Sequence, residues 1–366
     1  MSTTKRLLSL DVFRGLTIAF MILVNCPGSW SSVYGMLLHA EWHGCTPTDL
    51  VFPFFLFIVG IAISFSLSRR KAESADKGKV YRKIISRTLW IIGIGLLLNG
   101  AFKFNLATWR IPGVLFRIGI VYGICAMIYM VTTARQQLWI AAAFLLGYWA
   151  LMTLVPVPGQ GYASLEMGKD LGAWLDRLVF GGHVWRHAKT WDPEGLLSTV
   201  PALATCIGGI LAGTWIRGSM EAFAKWTAIF AVGFLLVLGG LLWGEVFPIN
   251  KQLWTSSYVL YHSGWALLTL GTVWWLVDVK GYKGWTKPFV WFGMNPLFIF
   301  VQHSVIVKIM LAIKIDGSSS YAWIYNNMFL SWLSPKNASL AFALMHVGIN
   351  LFVAWVLYKK KVFIKV

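Results

Sequence analysis

The stretch DLVFPFFLFIVGIAISFSLSRRK, Asp49–Lys71, decides the fold of this chain. No side chain between Asp49 and Arg69 is charged. At 1.5 Å of rise per residue, about twenty such residues form a helix that crosses the roughly 30 Å hydrocarbon core of a bilayer. The run is apolar on every side and has no face to give to water. Its Arg69-Arg70-Lys71 end marks where it meets an aqueous surface.

Runs of the same kind recur along the sequence, ten in all, at roughly 10–26, 48–68, 84–102, 113–131, 136–155, 196–217, 223–243, 256–277, 288–312 and 338–358. Composition agrees with them. Of 366 residues, 57% are hydrophobic and only 13% charged, with 21 Trp and 24 Phe, more apolar surface than a soluble core uses. The predicted class is all-α: a polytopic integral membrane protein with about ten transmembrane helices in one bundle, residues 1–366 forming a single domain. The first run keeps Asp11 and Arg14 and lacks a small-x-small site before the next charged segment. It reads as a retained helix and not as a cleaved signal peptide.

The net charge of +18 is distributed against nucleic-acid binding. Lys5 and Arg6, the segment 69–83, Arg135, Arg217, Lys225, Lys280, Lys283, Lys287 and the lysines at 359–361 all fall on one side of a ten-span chain. The loops around His39, 101–112, 156–195 and 313–337 fall on the other, where acids roughly match bases. The positive-inside rule makes the first side cytoplasmic, with both termini inside and the His39 loop outside.

In the longest loop, DLGAWLDRLVFGG at 170–182 carries Leu171, Trp174, Leu175, Leu178 and Val179 at helical spacing. This predicts a short amphipathic helix on the external surface or over a cleft. No repeat is visible, which disfavours transporter folds built from paired halves. Cys125 and Cys206 read as small core residues, while Cys26 and Cys45 flank one external loop, where a disulfide is left open.

Polar side chains in hydrocarbon need a partner or water. The candidates are Asp11, Arg14, Asn25, Asp49, Asn99, Arg117, His262, Asn295, His303 and His346. Those near helix ends can reach the interface, a reading that stays open for Asp11, Arg14 and Asp49. Asn295 and His303 lie within one run, beside the helix-breaking Pro296. The segment HAEWHGCTPTDL, His39–Leu50, gathers two histidines and two carboxylates before the Asp49–Lys71 run. Asp49 there suits a helix N-terminus. A neutral imidazole beside it suits a general base oriented by a carboxylate. The plainer alternative is polar loop surface, and a zinc site from His39, His43 and Asp49 lacks any standard ligand spacing.

The segments SLDVFRGLTIAFMILVN, HAEWHGCTPTDLVFPFFLFIVG, GVLFRIGIVYGI, TWDPEGLLSTVPALATCIGG, INKQLWTSSYVL and WFGMNPLFIFVQHS together resemble the heparan-α-glucosaminide N-acetyltransferase family of membrane acyltransferases, in its compact bacterial form. They run in order from residue 9 to residue 304. The resemblance implies acetyl transfer from cytoplasmic acetyl-CoA, a co-substrate, to the amino group of a glucosamine-type sugar at the external face of a bacterial inner membrane. No metal is expected. The histidine of the family's HAxW segment matches His39, its catalytic histidine, and the asparagine closing its first helix matches Asn25. Phe116 stands where the family usually has glutamine, the spacing from Asn25 to His39 is longer than in the animal enzymes, and a large soluble lumenal domain before the first helix is not expected. These departures bear on the acceptor more than on the chemistry.

On that resemblance, His39 serves as base or acetyl carrier with Asp49 beside it, and the Asn25 amide faces the oxyanion. Arg14, Lys83 and Arg87 are expected near the donor's phosphates, and Asn295 and His303 along its pantetheine arm. A pair with Asp11 remains open for Arg14. An amino-sugar permease and an O-acyltransferase of an envelope polysaccharide are the competing functions, and homo-oligomerisation is undecided.

Overall fold

The computed structural model describes residues 7–73, 77–101 and 105–364. Lys5, Arg6 and part of the basic 69–83 segment lie outside them. Thirteen α-helices occur among the described residues, with a two-stranded hairpin, Lys314–Ile315 against Ser318–Ser319, as the strand pairing of any length. In chain order they are α1 Leu8–Asn25, α2 Val51–Ala72, α3 Lys77–Gly100, α4 Val114–Val131, α5 Ala134–Leu154, α6 Leu171–Phe180, α7 Thr199–Arg217, α8 Ala222–Gly244, α9 Ser256–Trp274, α10 Lys287–Met294, α11 Pro296–Ala312, α12 Ser320–Ile324 and α13 Pro335–Lys359. The all-α polytopic class is the one read from sequence.

Eight of these helices are long and apolar enough to cross a membrane, and a ninth crossing results if α10 and α11 count as one. This differs from the ten spans expected, and the break expected at Pro296 is where one of them is divided. The run at 288–312 bends by 88° between Met294 and Pro296, because Pro296 has no N–H to donate and forces the preceding residue out of the helical region. Asn295 sits there at φ −130° and ψ 54°. The run at 256–277 does form α9, but Ser256, Ser257, His262 and Ser263 lower its hydropathy, and the first three are 0% exposed. Their polar groups turn toward protein, as hydrocarbon demands.

The chain divides into two compact units. The first takes the described residues up to His39, Thr46–Val51 and the described residues from Thr269 onward. Within it α1 lies against α10 at a separation that only glycine allows. A Cβ on Gly15 would stand 1.8 Å from the Phe289 carbonyl oxygen, and one on Gly293 would stand 2.2 Å from that of Asp11. Small residues at helix contacts replace the hydrophobic drive that lipid removes.

The second unit takes Ala40–Cys45 and Phe52–Leu268. The same device joins α2 to α7, where a Cβ on Gly60 would meet the Cys206 carbonyl oxygen at 2.0 Å and one on Gly209 that of Phe57 at 2.0 Å. Its long loop contains α6, as the spacing predicted, but with the expected facing partly inverted. Leu178 and Val179 are exposed, while Asp176 is buried and accepts the backbone N–H groups of Asp192 at 3.1 Å and Leu196 at 2.9 Å. Arg110 clamps the same loop, donating to both oxygens of Asp192 at 2.8 and 2.6 Å and to Glu194 at 2.5 Å. Partner hydrogen bonds are what make such buried acids tolerable.

Gly15→Ala and Gly209→Ala should each cost about 1–3 kcal/mol by overpacking, read as a lower thermal midpoint in detergent, whereas Gly147→Ala, with nothing within 4 Å of its Cβ, should be neutral. Equal midpoints for all three would refute the close-approach account. Burial pushes the Asp176 carboxyl up to about 6, above its unfolded value near 3.9. The native state therefore holds that proton more tightly. The stability the group contributes is complete below about pH 4 and declines as pH rises through about 6. Asp176→Asn should lack that slope, so the difference between wild-type and variant midpoints should change with pH over this range; a difference that stays flat with pH would show the carboxyl titrates normally.

Candidate active site

Between α1 and α2 the backbone makes two single turns, Gly35–Leu37 and Pro47–Leu50. The second starts as a capping box: Thr46 and Asp49 bond each other's backbone, with Pro47 in the first helical position. Asp49 Oδ2 accepts the Thr46 backbone N–H at 3.0 Å. The Thr46 hydroxyl lies 2.6 Å from the Leu38 carbonyl oxygen and 3.1 Å from Asp49 Oδ2; its single hydrogen goes to the nearer acceptor. The Thr48 hydroxyl donates to the Met36 carbonyl at 3.2 Å. These bonds close the loop on itself and deliver His39 to the start of α2.

His39 Nδ1 stands 2.7 Å from Asp49 Oδ1. An ionised carboxylate only accepts, so Nδ1 carries the hydrogen, and the neutral ring holds its lone pair on Nε2. The acid is buried, 1% exposed, and the imidazole is 41% exposed. A carboxylate fixed by backbone, holding a histidine at the surface, is the arrangement of an oriented general base.

His43 takes the opposite tautomer. The Asn250 side-chain oxygen accepts the Leu253 N–H at 2.9 Å, so its amide nitrogen faces His43 Nδ1 at 3.3 Å. Nδ1 thus accepts and the proton sits on Nε2. Partial desolvation lowers the His43 pKa and favours this neutral form. One histidine of the loop offers a lone pair at Nε2, the other an N–H.

Other residues singled out from sequence lie as follows. Asn25 ends α1 and is exposed. Arg14 is held at 3.4 Å from Asp11 and donates to the Gly293 carbonyl at 3.2 Å. Asn295 fastens the C-terminal tail, donating to the Val362 carbonyl at 3.0 Å and accepting the Ile364 N–H at 2.8 Å. His303 is buried with its ring nitrogens 3.7 and 3.8 Å from Cys26 Sγ, and Cys26 is a thiol, not half of a disulfide with Cys45. On α3 of the second unit Lys83 and Arg87 are exposed, Arg87 lying 4.9 Å from the centre of the Tyr122 ring. The structure thus brings His39 and Asp49 together and gives Arg14 and Asn295 structural partners. Thr46 and Asn250 were not singled out. Thr46 was legible in the T-x-x-D spacing before an apolar run; nothing local connects Asn250 to His43.

The sequence model of the family described as "Heparan-alpha-glucosaminide N-acetyltransferase, catalytic" matches residues 6–167. The heparan-alpha-glucosaminide N-acetyltransferase of Mus musculus is 30% identical over 422 aligned positions, which cover 100% of this chain and 61% of the mouse protein. The protein of the same name from Homo sapiens is 29% identical, covering 99% of this chain and 60% of its own length. The chain therefore spans about three-fifths of the length of these relatives.

Thr46→Val should destabilise the loop by about 1 kcal/mol, the usual worth of a helix cap, seen as a lower thermal midpoint of the detergent-solubilised protein. An unchanged midpoint would show that Thr46 does not hold the His39 loop.

Proposed function

We propose that the chain is a member of the heparan-α-glucosaminide N-acetyltransferase family it resembles, and that residues 1–366 act as one membrane N-acetyltransferase domain, moving an acetyl group from acetyl-CoA to the amino group of a glucosamine-type sugar. The observation that carries this reading is the 2.7 Å hydrogen bond from His39 to the buried Asp49.

A sugar ammonium has no lone pair with which to attack a thioester. In this reading His39 Nε2 takes a proton from the acceptor nitrogen as that nitrogen bonds the thioester carbonyl carbon. Asp49 keeps Nδ1–H in place and stabilises the positive ring while it holds the proton. The tetrahedral oxyanion takes a hydrogen bond from the Asn25 amide, a contribution worth several kcal/mol where such donors are preorganised. Collapse breaks the carbon–sulfur bond, the CoA thiolate leaves and is protonated, and one proton is released to water for each ammonium acetylated. Transfer is direct, so no acetyl-imidazole needs shelter from water.

The sidedness follows the same reading. Asp49 precedes α2, and Arg69, Arg70 and Lys71 form its last turn, so the positive-inside rule sets the basic end in the cytoplasm and the His39 loop outside. The location proposed is the bacterial inner membrane, with both termini cytoplasmic.

The test is purified full-length protein with acetyl-CoA and a panel of amino and hydroxy sugars, products read by mass spectrometry. His39→Ala should lower turnover on glucosamine by at least about a hundredfold, and Asp49→Asn should approach that loss because the amide no longer dictates the tautomer. His43→Ala should cost less. Folded His39→Ala protein acetylating glucosamine near the wild-type rate would refute the assignment. Acetyl on a hydroxyl would indicate an O-acyltransferase, and sugar transported without modification a permease.

A further inference from the structure

Helices α5, α7, α8 and α9 of the second unit, with Phe57 of α2, line a half-open cavity of about 670 Å³, inside the roughly 300–1,000 Å³ range of small-molecule sites. Its wall is almost wholly carbon. Ser263 brings a hydroxyl, and the indoles of Trp215 and Trp243 are the other polar-bearing side chains on it. A sugar, or the amides of a pantetheine arm, would lose hydrogen bonds to water there and regain almost none. The hollow suits hydrocarbon.

Its shape narrows the choice. On α8 the lining runs from Ala228 to Trp243, about 22 Å at 1.5 Å per residue. That exceeds half of a hydrocarbon core roughly 30 Å thick, the length of an extended chain and not of a compact solute. Ala141, Ala204, Gly208 and Ala212 supply the depth. The nearest atoms to a Cβ at Gly208 would be those of Phe57 at 3.6 Å and Ser263 at 3.9 Å, both ordinary contacts.

Charge identifies the headgroup. Leu138, Trp215 and Ala228 mark one end of the cavity, and within one turn of each, toward the nearer helix terminus, stand Arg135, Arg217 and Lys225. Arg135 is exposed. Lys225 donates to the Ile216 carbonyl at 3.0 Å. Arg217 gives one N–H to the Tyr129 hydroxyl at 3.4 Å, and its buried Nε has no partner among the described residues. The acid at this end is the exposed Glu221, which precedes α8. Among the described residues at these ends of α5, α7 and α8, three cations to one acid leave the mouth positive, above a sleeve that suits hydrocarbon.

We propose that this cavity binds one acyl chain of an anionic phospholipid, with the lipid phosphate at the Arg135, Arg217 and Lys225 end. The site is independent of the acetyl-transfer reading. Bound lipid would hold the α5–α8 side of the unit together, because filling an apolar hollow restores contacts that a void forfeits.

The experiment uses the full chain in phosphatidylcholine vesicles carrying a phosphatidylglycerol probe with a diazirine at mid-chain, with photolabelled peptides mapped by mass spectrometry. Label should concentrate on the α5, α7 and α8 segments lining the cavity, relative to the exposed Leu89 and Leu97 of α3. Gly208→Leu, or Ala141→Phe if the first variant does not fold, should abolish the enrichment by occupying the space. Arg135→Gln and Lys225→Gln should each reduce it about fivefold, the usual effect of one cation near anionic lipid. Uniform labelling of all lipid-facing helices, enrichment that survives the filling variants, or equal enrichment with a phosphatidylcholine probe would each overturn the proposal. So would cross-links between two copies of the chain through Leu146 and Trp215 in place of lipid.

Discussion

A polar group set among apolar helices has to find its partner within the chain, since neither lipid nor a dry core will supply one. Much of what is distinctive in this protein answers that constraint. Asp49 is 1% exposed and is satisfied by Thr46 on one oxygen and His39 on the other. Asn295 sits where Pro296 breaks the helix and gives both ends of its amide to the C-terminal tail. His262, 0% exposed, faces Thr205 at 3.3 Å, and Thr205 in turn accepts the Trp254 N–H at 3.1 Å. The first two cases are full backbone or side-chain solutions to the same desolvation cost and the third covers one ring nitrogen of His262, while the His39 loop is the one where the solution holds an imidazole that is 41% exposed.

The helices themselves are held by closeness more than by hydrophobic drive. Reciprocal glycines on α1 and α10, and again on α2 and α7, let backbones meet where any Cβ would collide. Dispersion between atoms in contact is individually small and collectively large, and it depends on that approach. In the first unit the α1–α10 contact also fixes the carbonyl of Gly293 that receives Arg14. A side chain that sequence offers equally to phosphate or to Asp11 is thereby engaged within the unit.

The two histidines of the His39–Asp49 segment show how environment assigns chemistry. They lie on one short loop and share a side chain, yet a carboxylate makes one ring an Nδ1–H donor and an amide makes the other an Nδ1 acceptor. The difference is set by whether the partner can donate, and it decides which ring is equipped to take a proton. The apolar cavity of the second unit is a separate matter: it carries no such groups, and only its positive mouth gives it selectivity.

By itself the sequence determined the all-α membrane class, the positions of most of the helices, α6 in the long loop, and the resemblance to the acetyltransferase family. These depend on apolar runs, periodicity and contiguous segments, all local. Through the resemblance it also named His39, Asp49 and Asn25 as candidates, because six matching segments together are more specific than any one; the structure joins the first two. The T-x-x-D cap that fixes Asp49 is local too. What only the tertiary structure decided depends on contacts between residues far apart: the 88° angle taken at the break that Pro296 announces, the burial of Ser256, Ser257 and His262 that makes a polar helix tolerable, the inward face of Asp176, and the Asn250 that sets the tautomer of His43. A helix pattern states which side of a segment is apolar, but whether a polar side is met by solvent or by another segment's backbone is a property of the packed chain, since hydrogen bonds act over about 3 Å and sequence separation says nothing about that distance.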